Sequence, residues 1–191
     1  MKKLPILFIV LIIISCKEGR KPQQSRCTNW VDSFREFRNA VYTNDRNKIK
    51  TFIDFPLKDQ FNGIWHLACG EYYKNIPDTI IPFTEQDFDK YSDKLFSKRF
   101  INTILKIKSE EFYKDKTVET LTFKEDSCTT YKMSGTFEPT HCILTLNLFS
   151  NSVTKDDNGQ QVDYDGELSI IYTFVVLQSG QIKLMEIRLA E

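Results

Sequence analysis

From Trp30 to Val41 the large apolar side chains fall at Trp30, Phe34, Phe37 and Val41, spacings that put all four on one face of a helix. Asp32, Arg35, Glu36 and Arg38 lie largely off that face. Asn29 is placed to cap the helix, with Asp32 three residues on. Thr43-Asn44-Asp45 ends it, and Asp45 can cap a short second helix carrying Ile49, Phe52 and Ile53. Pro56 forces Phe55 into an extended conformation and closes that element. Residues 57–83 hold apolar clusters without a clean period, and Pro77 and Pro82 predict irregular chain there. The best-signalled helix starts at Thr84. Thr84 and Asp87 form an acidic capping box, and Phe83 and Phe88 occupy the two places of a hydrophobic staple. Phe88, Tyr91 and Leu95 make one stripe, which Phe96, Phe100, Ile104 and Leu105 continue around the helix; Ser92-Asp93 marks the expected break.

After Lys108 the period changes to two. Leu121 and Phe123 alternate with polar residues, as do Tyr131, Met133 and Phe137. Leu144, Leu146 and Leu148 follow, then Leu168 to Val176 in alternation, then Met185, Ile187 and Leu189. Glu138-Pro139-Thr140 and Ser179-Gly180 are turn signals. Helices first and strands afterwards predict an α+β fold, with helices at 84–107 packed on an antiparallel sheet formed after residue 115.

The oily run ahead of this is of another kind. Lys2 and Lys3 precede an apolar stretch from Leu4 to Ile14, broken only by Pro5. It suits a signal peptide and falls short of the roughly 20 residues that span a bilayer. The stretch Ile13-Ile14-Ser15-Cys16 resembles the lipobox of bacterial lipoproteins. That resemblance implies that Cys16 is alkylated with diacylglycerol, that residues 1–15 are removed, and that the new amino terminus is acylated. Each buried methylene contributes about 0.8 kcal/mol, so several chains on one residue form a lasting anchor. Lys17 stands where an acidic residue would signal inner-membrane retention, so the resemblance implies the outer membrane of a bacterial envelope. Residues 16–28 then read as the lipidated cysteine and a polar tether, and 29–191 as one α+β domain.

The chain has 26 basic and 26 acidic residues; losing Lys2 and Lys3 leaves 24 against 26, a formal charge of −2. No broad basic field remains, which argues against a nucleic-acid partner. A hydrophobic fraction of 41% with few glycines and prolines fits a packed core.

The segments FREFRNAVYTNDRNKIKTFIDFPL, FDKYSDKLFSKRF and YTFVVLQSGQIKLMEIRL, in that order, resemble the NTF2-like and cystatin-like group. This implies N-terminal helices packed on a curved antiparallel sheet that forms a cone. In NTF2-like enzymes an Asp–His arrangement inside the cone can move protons. His66, in GIWHLACGEYY with Glu71 near, is the candidate general base of that reading; His141 follows a turn and is expected at the surface. The other reading is a non-catalytic binding module for a protein, glycan or small molecule, with Trp65, Tyr72 and Tyr73 as candidate contacts or as core.

Motif chemistry is otherwise sparse. TKDDNGQQVDYD places Gly159 where a calcium loop needs glycine, but Thr154 and Asp165 stand at the two decisive ligand positions. Its flanks read as strands, so it is expected to be a hairpin loop, and no metal or cofactor is expected. Cys27, Cys69, Cys128 and Cys142 remain beside Cys16. If Thr129–Phe137 and His141–Ser150 form a hairpin, Cys128 and Cys142 sit at opposite ends, roughly 30 Å apart at about 3.4 Å per residue. They cannot then join each other, and bridges from them run to Cys27 and Cys69. Four buried thiols are the alternative.

Overall fold

The structure, a computed structural model, describes residues 27, 29–57, 62–70, 79–155, 158 and 161–190, and over 154–155 and 161–167 the backbone alone. The leader, Cys16 and residues 17–26 of the tether lie outside the described residues. The helices are α1 (Val31–Tyr42), α2 (Arg46–Lys50), α3 (Gly63–Cys69), α4 (Glu85–Leu95), α5 (Lys98–Ile104) and α6 (Ser109–Asp115). The strands are β1 (Thr117–Glu119), β2 (Phe123–Lys124), β3 (Thr129–Glu138), β4 (Ile143–Lys155), β5 (Gln161–Val176) and β6 (Ile182–Ala190). The fold is α+β. All strand pairs are antiparallel, in the order β1-β3-β4-β5-β6, with β2 also on β3.

Helix signals act mostly where expected. α1 buries Phe34, Phe37 and Val41, but it begins one residue later than Asn29 implies. Trp30 takes the cap position, while the Asn29 side chain accepts from Val31 N at 3.0 Å. Asp45 caps α2 by accepting from Lys48 N. At α4 both halves of the Thr84–Asp87 capping box are present. The break between α4 and α5 falls at Phe96, after which the Ser97 hydroxyl caps α5; Ser92 and Asp93 lie inside α4. Two helices depart from expectation. α3 forms in the stretch expected to be irregular, because Ile64, Trp65 and Ala68 can be buried together on one short face. α6 occupies residues assigned to the strand region. At seven residues it is too short to display a period, and Phe112 alone supplies its large apolar anchor.

Gly135 of β3 explains how closely α6 approaches the sheet. A Cβ there would lie 2.8 Å from Phe112 Cζ and 2.9 Å from a Val118 methyl. At the other edge, residues after α2 cover β6. Leu184 N donates to Phe52 O at 2.7 Å and Asp54 N to Leu184 O at 2.9 Å, so that edge is not left open.

The β3–β4 ladder runs from Thr129↔Ser152 to Glu138↔Ile143, which is the expected hairpin with longer arms. Strands also flank residues 156–160, as a hairpin loop requires. Cys27 is joined to Cys142 beside the β3–β4 turn, with Cα atoms 5.5 Å apart. Cys128 sits at the far end, its carbonyl accepting from Val153 N, and Cys69 and Cys128 are free thiols. The expected exclusion of a Cys128–Cys142 bridge therefore holds. No helix of the described residues is long and apolar enough to cross a membrane.

Candidate functional site

Alternating residues of β3 to β5, where their side chains are described, point inward toward the helices and meet aromatic rings, whereas on β6 a bulge at Met185 breaks the expected alternation, leaving Leu184 and Ile187 buried and Met185 exposed. Trp30 packs edge-on against Phe34, Phe112, Tyr113 and Phe137 with centroids 5.1–5.7 Å apart. Deeper in, Phe100 lies 4.5 Å from Tyr172, and Phe37 lies 5.2 Å from Phe174. Tyr172 is fully buried and donates its phenol to Leu95 O at 2.7 Å. Burial pushes that phenol far above its ordinary range, so it stays protonated and keeps the bond. The interior where a cone pocket would lie is thus filled with side chains, each large one contributing about 1.5–3 kcal/mol by burial.

The segment holding His66 and Trp65 is an excursion closed at its neck by two backbone hydrogen bonds between Leu57 and Phe83. Asn62, in the left-handed region at φ 53°, starts α3. Its side chain donates to Thr79 O and accepts from Ile81 N, both at 2.9 Å. Trp65 donates from its indole to Ile81 O at 2.9 Å, and its ring packs against Phe83 and Tyr91. Trp65 is therefore a buried clasp of the excursion rather than an exposed contact residue. His66, one residue on, is exposed, and no carboxylate among the described residues orients it. Glu71, Tyr72 and Tyr73 lie outside the described residues, as does Cys16. His141 is exposed at the β3–β4 turn, with Nδ1 2.7 Å from Glu138 Oε1.

A cleft that sequence reasoning missed opens between the C-terminal end of α1, α2, α4 and α5. It encloses about 240 Å³. Its floor is Val41, Ile49, Phe96 and Ile101, and Ser92, Asn44 and Lys98 supply polar groups. One wall is clamped by Arg46, which donates to Asp89 O at 2.9 Å and to both oxygens of Asp93 at 3.2–3.3 Å. Ser92 is 3% exposed, yet its Oγ has no hydrogen-bond partner among the described residues.

No family model and no curated protein matches this chain. One solved structure is similar. It is a ketosteroid-isomerase-like protein from Shewanella frigidimarina, 8% identical, spanning 84% of this chain and 97% of its own, with a TM-score of 0.30. A likeness that slight carries no argument about activity.

A second, more open groove of about 530 Å³ runs along β1 and β2, with Lys106, Lys108 and Glu111 at its rim. Leu121 stands beside it, 86% exposed. Strict alternation would turn Leu121 to the same side as Phe123. A bulge reverses it: between Glu119↔Ser134 and Phe123↔Tyr131, three residues on one strand face two on the other. The sequence signal for the first cleft was a serine inside an apolar stripe, since Phe88, Ser92 and Leu95 form the buried side of α4.

Proposed function

We propose that this protein is a lipid-anchored bacterial envelope protein, held at the outer membrane through Cys16, whose folded part is a non-catalytic binding module. The observation that carries the export half of this reading is the Cys27–Cys142 disulfide. Disulfides persist in oxidising compartments such as the periplasm and are rare in the cytosol. It closes 11 residues after the lipobox cysteine, so leader and bridge argue for one compartment independently. An NTF2-like cone is the finer fold reading, supported by helices preceding an all-antiparallel sheet.

The filled interior supports binding over catalysis. Proton transfer inside the cone needs an oriented base and room for a substrate. His66 lies exposed on α3, and aromatic rings occupy the interior. A protein, glycan or small molecule is the partner class this reading allows, and the balanced charge argues against nucleic acid.

Acylation tests the anchor. With radiolabelled fatty acid, the wild-type chain is expected to take up label and lose residues 1–15, while Cys16→Ser accumulates as unlabelled precursor. A Cys16→Ser chain recovered in membranes at the processed mass, still carrying label, would overturn the reading.

A further inference from the structure

The Cys27–Cys142 bridge fixes the point at which the tether leaves the folded part. Cys142 stands at the β3–β4 turn, and Val176 N donates to Cys142 O at 2.7 Å, so the β5–β6 turn lies beside it. The last turn of α6 is there too, since Phe137 N donates to Lys116 O at 2.8 Å. So is the start of α1, whose Ser33 hydroxyl accepts from Ile182 N at 3.0 Å. β4 runs away from these turns for 13 residues. At about 3.4 Å per residue its other end lies roughly 40 Å off.

Eleven residues separate Cys16 from Cys27. A chain of that length reaches at most about 40 Å, and averages roughly 20 Å when nothing holds it extended. For the far end of β4 to rest on lipid with the turns above it, the tether would have to be drawn to its limit. The turns reach the same surface at the tether's ordinary length.

Charge runs the same way. Lys17, Arg20, Lys21 and Arg26 precede Cys27, against Glu18 alone. Residues 154–167, which span the far ends of β4 and β5, carry five acidic side chains against Lys155. Folded groups near the turns balance, with Lys114, Lys116 and Lys183 against Asp32, Asp115 and Glu138. An anionic headgroup layer therefore attracts the tether and repels the far end, each within about a Debye length.

We infer that the anchored protein stands on an anionic phospholipid surface with its β3–β4 and β5–β6 turns toward the headgroups, the tether cations holding it there and the far ends of β4 and β5 turned away. The inference rests on the anchor half of the proposed function and adds the lipid headgroup layer as a second contact of the chain.

The test uses the full-length acylated chain in lipid nanodiscs, with isoleucine, leucine and valine methyl groups labelled for NMR. The discs are phosphatidylcholine mixed with phosphatidylglycerol, with a trace of lipid bearing a gadolinium chelate on its headgroup. Broadening at Ile143, Val175 and Leu177, beside the turns, is expected to exceed that at Val153 and Leu168 at least about tenfold, since the two groups lie roughly 25–35 Å apart along the strands. Discs of phosphatidylcholine alone should reduce this contrast several-fold. So should the variant Arg20→Gln, Lys21→Gln, Arg26→Gln, whose substitutions all precede the disulfide and leave the core sequence untouched. Equal broadening at both ends overturns the inference, as does stronger broadening at Val153 and Leu168. So does a contrast that neither the neutral discs nor the tether variant diminishes. An unlabelled wild-type chain in the acylation experiment would strike the anchor and this inference with it, whereas an acylated chain broadened alike at both ends strikes this inference alone.

Discussion

Tyr172 couples the sheet to the helices through one buried bond, and that bond has a pH signature. An exposed phenol titrates near pH 10, whereas burial raises the folded value. The folded chain therefore holds its proton where the unfolded chain has released it. The stabilisation is whole below about pH 10 and drains away as pH climbs toward the raised folded value, at about 1.4 kcal/mol per unit. Tyr172→Phe removes the titration together with the bond to Leu95 O. At about pH 8 the variant is expected to be less stable by about 1 kcal/mol. By about pH 11 the gap should close or reverse, since only the wild type bears the alkaline cost. Urea unfolding at both values checks this, and a gap unchanged with pH would mean the phenol is not shielded. Tyr172 was legible in sequence as an inward strand position. Its hydroxyl partner was not, because the partner is a backbone carbonyl 77 residues away.

Among elements, legibility followed length and period. α1, α4 and the β3–β4 hairpin repeat their pattern over several turns or pairs and could be read before folding. α3 and α6 have seven residues each and lack the side-chain cap that Asp45 gives α2 and Ser97 gives α5, so tertiary burial decides them. Leu121 was misread because a single inserted residue inverts the alternation beyond it. The cleft left only one trace in the sequence, the serine inside the apolar stripe of α4, since it gathers residues from four helices. α3 owes its place chiefly to Asn62, whose amide spans Thr79 and Ile81. Asn62→Ala leaves both backbone groups unmet and is expected to cost about 1–2 kcal/mol, spent locally. Hydrogen exchange at the amides of Leu67 to Cys69 should quicken about tenfold while the β3–β4 ladder keeps its protection. Equal quickening in both would show that excursion and sheet open as one unit.

Across the whole molecule, the Cys27–Cys142 bridge ties two points 115 residues apart. Closing a loop of that length limits the unfolded chain, and losing it typically costs about 3–5 kcal/mol. The double variant Cys27→Ser, Cys142→Ser is expected to show a lower urea midpoint by that measure, and wild type under reductant should match it. An unchanged midpoint would mean that Trp30, buried three residues later, already holds the terminus without help. The bridge also decides how tension travels. A pull on the chain ahead of Cys27 reaches α1 along the backbone, but it also enters the sheet at Cys142, at the base of β4. If the resisting grip lies at the opposite end of the hairpin, the stress runs along β4. The β3–β4 and β4–β5 ladders then bear it in shear, many bonds at once. With the sulfurs parted, the same pull would peel Trp30 and α1 from the core one contact at a time. A covalent link beside a turn thereby converts a zipper into a rivet.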